Sequence, residues 1–462
     1  MGTIFTLKGT TFQGPKYKAV IDMLQSKIAL GELKAGDKLP PVRDLAWELK
    51  MTPGTVARAY QDATAAGMLE ATVGRGTFVA TTTAKIPDSA PVLRPIVEDE
   101  FINLRSSNTT DVGQAKEIAE AMTEVGRTMA HKYMYYPGYE GRHPIYPFLS
   151  KWMENAMLDV DPKNIIMTHG GQSSISLALQ SILKNQGGGV AIDALAYPGI
   201  RYAVQAQGGV LNSIEMDDEG MIPDALEKVC KRGGIELIFV CANVLNPTLG
   251  MMSLERRIAI AEIARKYDLQ LVEDDCWGIG PATHTGFLSI CPERTWYISS
   301  VTKNISAGLR FGWLVCPKDQ MKAPRRAMRI SCFGVSRAVS DIAYELMKSG
   351  AAFDIRDRVQ VAVSELVRDT VNLLGQWDIS YRKDIPFVWL KLPQGWRASA
   401  FSTACERAGI SVRPADEFSI QGEAVPNAVR IALNNNLPDM VFVDAIKTIA
   451  QLLDNPPAVS EG

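Results

Sequence analysis

From Phe101 onward short apolar runs alternate with longer stretches of helical period, and no other feature of these 462 residues restricts the fold as much. The runs at residues 189–192, 237–242, 270–273, 296–299 and 312–315 are too short for helices and read as strands. Between them lie segments such as 173–183 and 254–267, with apolar residues at helical spacing. Strands that alternate with helices fold as parallel strands joined by crossover helices, each strand buried on both faces. The fold class expected is therefore α/β with a mainly parallel sheet. After about Pro317 the pattern changes to long helices and then a smaller α+β region containing FVWLKLP, GISVRP and AVRIAL.

The chain before Phe101 has another character. Residues 81–100, TTTAKIPDSAPVLRPIVEDE, carry three prolines and no apolar period, so they read as a linker. Three parts follow: a small helical module at 1–80, the linker at 81–100 and an effector domain at 101–462. No apolar run approaches the roughly 20 residues of a membrane helix, and the N-terminus has no apolar stretch with a cleavage site. A cytoplasmic protein is expected, with no membrane partner. Seven cysteines lie scattered without CxxC pairs or metal spacing, so reduced thiols and no metal centre are expected.

In the small module, residues 17–30 place Val20, Ile21, Leu24 and Ile28 on one helical face. A short helix is expected at 42–49. Thr52 then caps a further helix over 54–66, with Pro53 suited to its first turn and Gly67 to its end. Two short helices joined by a tight turn form a helix-turn-helix, whose second helix enters the major groove. Residues 69–80 read as two strands around Gly74-Arg75-Gly76, a wing that brings a cation to phosphate or to the minor groove. Charge alone does not decide for DNA, since residues 16–80 hold nine Lys and Arg against seven Asp and Glu.

In the effector domain the segment TWYISSVTKNISAGLRFGWLV places Lys303 after an apolar strand and seven residues before Arg310. A lysine that forms a Schiff base requires a fixed stem and a partly desolvated amine, and a nearby phosphate requires hydroxyls, N–H groups and a bidentate cation. Ser300 and Arg310 supply two of these. In MTHGGQSSISLALQSIL a glycine turn feeds a helix whose first N–H groups offer an anion site at Gly171 and Gln172. In LQLVEDDCWGIG a strand runs into Glu273-Asp274-Asp275, at the end of a strand where ligands bind in open α/β sheets. One of these carboxylates can keep a pyridine nitrogen protonated; the alternative, helix capping or solvation, fits Asp275 better than Asp274. Asn246-Pro247 follows another buried strand, where the amide can reach a phenolic oxygen or simply make a turn.

The order LPPVRDLA, TPGTVARAY, AAGMLEATVGRGTFV resembles the GntR-type winged helix. The resemblance implies that Arg43, Arg58 and Arg75 contact phosphate or bases, that Thr52 and Thr55 lie at the DNA surface, and that Gly76 admits DNA to the wing backbone. Pro41 and Pro53 depart from the family pattern, so the operator sequence is not inferred. Residues 101–462 resemble fold type I aminotransferases. That resemblance implies pyridoxal 5′-phosphate on Lys303, Asp274 at its ring nitrogen and Asn246 at its phenolic oxygen. Gly171, Gln172, Ser300 and Arg310 would hold its phosphate, Tyr197 would stack on the ring, and Tyr136 would reach the phosphate of a partner subunit. Arg430 would pair with a carboxylate of the effector, a structural ion pair being its competing role. Where relatives carry a tyrosine after the aspartate, this chain has Cys276 and Trp277, poorer donors.

Together the two modules resemble the MocR subfamily of regulators. The implied function is a pyridoxal-phosphate-dependent transcriptional regulator that senses an amine or amino acid by transaldimination at Lys303. It would work as a homodimer, head-to-tail and domain-swapped, on a double-stranded operator with two half-sites. Weak or half-transamination is compatible with this reading. The alternative is an active aminotransferase with an appended regulatory domain.

Overall fold

The computed structural model describes residues 16–29, 33–34, 36–65, 68–72, 76–79, 101–128, 130–137, 143–184, 187–420, 425–434 and 438–456, in two units, Met1–Val92 and Leu93–Gly462.

In the N-terminal unit, helices α1 (Lys16–Ala29), α2 (Val42–Glu48) and α3 (Pro53–Ala65) precede strands β1 (Leu69–Thr72) and β2 (Gly76–Val79). The strands pair antiparallel, with Leu69 opposite Val79 and Thr72 opposite Gly76. Val20, Leu24, Leu45, Val56, Ala59 and Leu69 form the core, each nearly or fully buried. Pro53 opens α3, and Thr52 Oγ1 accepts the N–H of Thr55 at 3.3 Å, the cap that the sequence predicts. The loop before α2 lies along β2, where Leu39 N–H donates to Thr77 O at 2.8 Å and Val79 N–H to Asp37 O at 2.8 Å. Gly67, the linker at 81–100 and the wing tip with Arg75 lie outside the described residues.

The larger unit is built on strands β3 (Ile165–Thr168), β4 (Gly189–Asp193), β5 (Val210–Ile214), β6 (Ile235–Val240), β7 (Gln270–Asp274), β8 (Thr295–Ser300) and β9 (Gly312–Val315). Their order in the sheet is β3-β9-β8-β7-β6-β4-β5. Five neighbours, β5-β4-β6-β7-β8, pair in parallel, as the alternation predicts. The fifth apolar run, β9, is antiparallel to both of its neighbours. It follows β8 with no intervening crossover helix, so the chain returns beside β8 in the opposite direction. Strands β3 and β5 are the two edges and were not among the five apolar runs. The β5 sequence VLNSI is largely half-exposed, so it lacks the apolar continuity of a central strand.

The helices that bear on the site are α4 (Gly171–Ile182) and α5 (Pro198–Ala206). Beyond the sheet come three long helices. A four-stranded antiparallel sheet then gathers β10 (Ile379–Ser380), β11 (Phe387–Lys391), β12 (Arg413–Pro414) and β13 (Ala428–Ala432) in the order β10-β11-β13-β12. No helix among the described residues is long and apolar enough to cross a membrane.

Leu45 is fully buried at the centre of the small core. Leu45→Ala should cost about 2–5 kcal/mol. Amide exchange measured residue by residue should then accelerate in α1, α2 and α3 while the seven-stranded sheet keeps its protection.

Candidate cofactor and effector site

Parallel strands end on one edge of their sheet, and the expected site residues follow from that edge. Asp274 is the last residue of β7, Tyr197 lies four residues beyond β4, and Asn246 six beyond β6. Lys303 lies three residues beyond β8 and Gly171 three beyond β3. Arg310 stands two residues before β9, which starts at the same edge because it runs the other way. Eighty or more residues of sequence separate several of these groups, and sheet topology brings them together.

Lys303 Nζ donates to the carbonyl of Ser107 at 2.5 Å and lies 4.8 Å from the centroid of the Trp277 ring. Burial depresses its pKa to about 8, assisted by the positive field of Arg430 and Arg310 and opposed by Cys276. Burial acts in the opposite direction on Asp274, whose carboxyl pKa is raised. Its Oδ1 accepts the N–H of Cys276 at 3.0 Å, and no cation among the described residues is in ion-pair range. Glu273 and Asp275, one step along the strand on either side, belong elsewhere. Asp275 accepts from Tyr297 Oη at 2.7 Å and Asn243 Nδ2 at 3.0 Å and is buried, so the capping or solvation expected for it does not occur.

The opposite end of the site is shaped for an anion. Gly170 and Gly171 begin α4, whose first N–H groups have no partner within the helix. A Cβ on Gly170 would stand 3.0 Å from Arg310 Nη2 and 3.6 Å from Thr302 Oγ1, and one on Gly171 would run into Cys276 Sγ. Glycine leaves that space free. Thr302 Oγ1 and Gln172 Oε1 are buried with no hydrogen-bond partner among the described residues, while Gln172 Nε2 donates to Gly199 O at 3.0 Å. Ser300 Oγ is 3.6 Å from Cys276 Sγ. Thr302 was not expected from the sequence; a hydroxyl one residue before the lysine was the signal that could have found it.

Arg430 lies in β13, nearly fully buried between the rings of Phe387 and Phe418, with centroids 5.0 and 5.1 Å from its guanidinium carbon. It donates to Asn246 Oδ1 at 2.7 Å and to Arg105 O at 2.7 Å. No carboxylate among the described residues is within ion-pair distance, and its Nε is buried without a partner. The structural ion pair that competes with a ligand role is therefore not formed there. With Asn246 Oδ1 engaged, its Nδ2 has no acceptor among the described residues. Tyr197, at the N-terminus of α5, is half-buried, with its pKa raised by burial and by Asp274.

Tyr136 is placed apart from these groups. It is 78% exposed and stacks on Phe333, ring centroids 5.1 Å apart. In the N-terminal unit Arg43 is exposed on α2. The Arg58 guanidinium lies 4.1 Å from the Tyr17 ring centroid and its Nε is 3.9 Å from Asp62, so it makes intramolecular contacts first. Thr52 and Thr55 share a hydroxyl–hydroxyl bond of 2.9 Å. Gly76 has φ +115°, and a Cβ there would meet Lys38 Cε at 2.9 Å. Lys38, beside the wing, is a cation that sequence reasoning passed over.

These groups fit pyridoxal 5′-phosphate. The half-buried carboxylate of Asp274, with no cation in ion-pair range among the described residues, suits a protonated ring nitrogen, the free amide of Asn246 a phenolic oxygen, and the glycine cradle with Thr302 and Arg310 a phosphate.

Comparison with known proteins agrees with this geometry. Residues 99–448 match the aminotransferase class I and II family, and residues 16–79 match the gntR family of bacterial regulatory proteins. The HTH-type transcriptional regulator YdeF of Bacillus subtilis (strain 168) is 25% identical over 91% of this chain and 90% of its own length. The vitamin B6 salvage pathway transcriptional repressor PtsJ of Salmonella typhimurium is 23% identical over 91% of this chain and 95% of its own. Among solved structures an archaeal alanine:glyoxylate aminotransferase superposes with a TM-score of 0.69 at 23% identity, over 77% of this chain and 91% of that one. The chain belongs to the aminotransferase class I and II family, joined to a GntR-type DNA reader in the manner of MocR-type transcriptional regulators.

Proposed function

We propose that this regulator senses a primary amine that also carries an acid group, by exchange at Lys303, and passes the result to its DNA reader. The observation that carries the proposal is Arg430, a buried guanidinium with no carboxylate in ion-pair range among the described residues. Burying an unpaired charge costs several kcal/mol, roughly, unless a partner arrives. A ligand carboxylate is such a partner, and the fork of Arg430 suits it.

Pyridoxal phosphate, when bound, supplies an aldehyde carbon that condenses with primary amines and a visible-to-near-UV chromophore. Lys303 would hold that carbon, and its depressed pKa leaves more of its amine neutral, and so able to form the bond, than in a lysine in water. Asp274 holds a proton at the ring nitrogen, Asn246 Nδ2 donates to the phenolic oxygen, and Tyr197 covers one ring face. Gly171, Gln172, Ser300, Thr302 and Arg310 hold the phosphate. Arg430 receives the acid group of the effector. It also grips the carbonyl of Arg105, near the start of the larger unit, so an occupied Arg430 bears on the segment that leads back to the reader.

Exposure of Tyr136, Tyr135 and Met134 near Phe333 supports a homodimer in which this face meets a partner, with Tyr136 reaching the partner's site. We read the dimer as head-to-tail, with the readers exchanged between chains, on an operator of two half-sites. A second reading, an active aminotransferase, is favoured by the Lys303 pKa, which also suits proton transfer. Sustained conversion of an amino donor with 2-oxoglutarate at ordinary enzymatic rates would establish it in place of sensing.

Lys303→Ala should lose the cofactor absorbance, which borohydride bleaches in the native protein, and should lose the effector's influence on DNA binding while remaining folded. A normal effector response in that variant overturns the proposal. In cofactor-free protein the rate of pyridoxal phosphate uptake, followed by absorbance, should rise with pH and level off above about 8. A lysine in water would go on rising toward about 10.4. Arg43→Ala should weaken operator binding evenly across sequences and reduce the slope of log affinity against log salt by about 1.

A further inference from the structure

Beside Arg430 the small sheet holds a second inward cation that the reading above leaves unused. Arg413 in β12 stands directly opposite Arg430 in β13, so both side chains leave the sheet on one face. The ring of Phe418 lies against both guanidinium groups, its centroid 5.8 Å from the Arg413 carbon and 5.1 Å from that of Arg430. Arg105 closes the group by donating from Nη1 to Val412 O at 3.0 Å.

Among the described residues, one carboxylate lies within ion-pair distance of Arg105 and Arg413, and none lies within that distance of Arg430. Glu417 Oε1 accepts from Arg105 Nη2, and Oε2 is 3.5 Å from Arg413 Nε without forming a hydrogen bond. Arg413 Nε is buried without a hydrogen-bond partner, as is Arg430 Nε. The two Nη atoms of Arg413 have no acceptor among the described residues. Burial lowers the pKa of both arginines, Arg430 to about 9, with Arg413 the next cause there. The cluster adjoins the amine, since Lys303 Nζ donates to Ser107 O, two residues along from Arg105, whose carbonyl Arg430 holds, and both Arg430 and Arg413 lower the pKa of Lys303. Tyr197 feels both fields as well.

Three guanidinium groups and one carboxylate leave two uncompensated positive charges in a poorly solvated place. A single effector carboxylate on Arg430 offsets one of them. The unpartnered Nη atoms of Arg413 mark where a second would be met.

We propose that Arg413 and Arg105, clasping Glu417, form a second acid subsite beside Arg430, and that the effector is a primary amine bearing two carboxylates. This inference rests on the amine-sensing reading above. One carboxylate pairs with Arg430, the other with the Nη edge of Arg413, and Glu417 keeps Arg105 and Arg413 in place while the subsite fills.

Full-length protein loaded with pyridoxal phosphate can be titrated by absorbance with pairs matched in chain length: glutamate against norvaline, and 2-aminoadipate against norleucine. The two-acid member of each pair should bind at least about tenfold more tightly, the equivalent of one charged hydrogen bond. Arg413→Gln should reduce that ratio to within about threefold, and Arg413→Lys should restore part of it, a point charge replacing a fork. Glu417→Gln should raise the ratio, since it removes the competing carboxylate, and it decides the matter if Arg413→Gln does not fold. Equal binding within the pairs, a ratio that survives in folded Arg413→Gln, or a ratio that falls in Glu417→Gln each overturns the inference. If amines shift the spectrum without regard to the second acid, only this inference falls. If none shifts it, the amine-sensing reading falls and takes this one with it.

Discussion

Arg430 reaches from the small antiparallel sheet between two phenyl rings, and its two donors close on groups far away in the chain, Asn246 Oδ1 and the carbonyl of Arg105. One side chain thereby ties together three pieces. They are the loop after β6 of the large sheet, strand β13 of the small one, and the segment by which the chain enters the larger unit. A guanidinium in such a place loses hydration that two neutral acceptors replace only in part, and burial drives its pKa down to about 9. Other parts of the site depend on that tie. Asn246 gives up its carbonyl to Arg430, which orients its amide N–H₂ the other way, and the positive field of Arg430 reaches the amine of Lys303.

The alternation of a strand explains which acid in Glu273-Asp274-Asp275 serves the site. Successive side chains point to opposite faces, so Asp274 is parted from both neighbours. Glu273 packs against Gly286 and feels the field of Arg257, while Asp275 is fixed by Tyr297 and Asn243. Burial raises the pKa of all three, to about 7 for Glu273 and about 6 for Asp275. Among the described residues neither Glu273 nor Asp274 has a cation or a side-chain hydroxyl or amide within bonding distance; Glu273 is buried, whereas Asp274, the last residue of β7, is half-buried at the edge where the site residues gather.

Much of this was legible in the sequence because it is local. Apolar runs predict the parallel strands from β4 to β8 other than β5, Thr52 and Pro53 predict where α3 begins, and a lysine and an aspartate each stand at or just beyond the end of such a run. The reversal of β9 was not legible, since an apolar strand reads the same in either direction. Nor was the partnership of Arg105, Arg413 and Glu417, in which the first residue is some three hundred positions from the others and is brought near by the pairing of Ile102 and Asn103 with Ile410 and Ser411. Lys38 was missed for a like reason: it matters through a backbone pairing with Phe78 and through the space that Gly76 leaves for it.

Cys276 and Trp277 bear on whether such a site turns over or only binds. The Cys276 thiol packs where a Gly171 side chain would stand, and burial with the neighbouring Asp274 charge holds its pKa well above the ordinary value. It is a weak donor, and at neutral pH it carries no charge. Trp277 turns its ring face toward Lys303 and packs at a steep angle against Phe387. A ring face attracts a cation but supplies no proton. So near the phenolic oxygen the chain offers the Asn246 amide and no acidic hydroxyl from these two positions. Under the proposed reading, groups suited to hold the cofactor and the ligand's charge are present apart from Tyr136, whereas Cys276 and Trp277 offer no donor to tune repeated proton transfer. An equilibrium between two amines at one carbon requires the first set and not the second, and a regulator whose output is occupancy requires no more than that equilibrium.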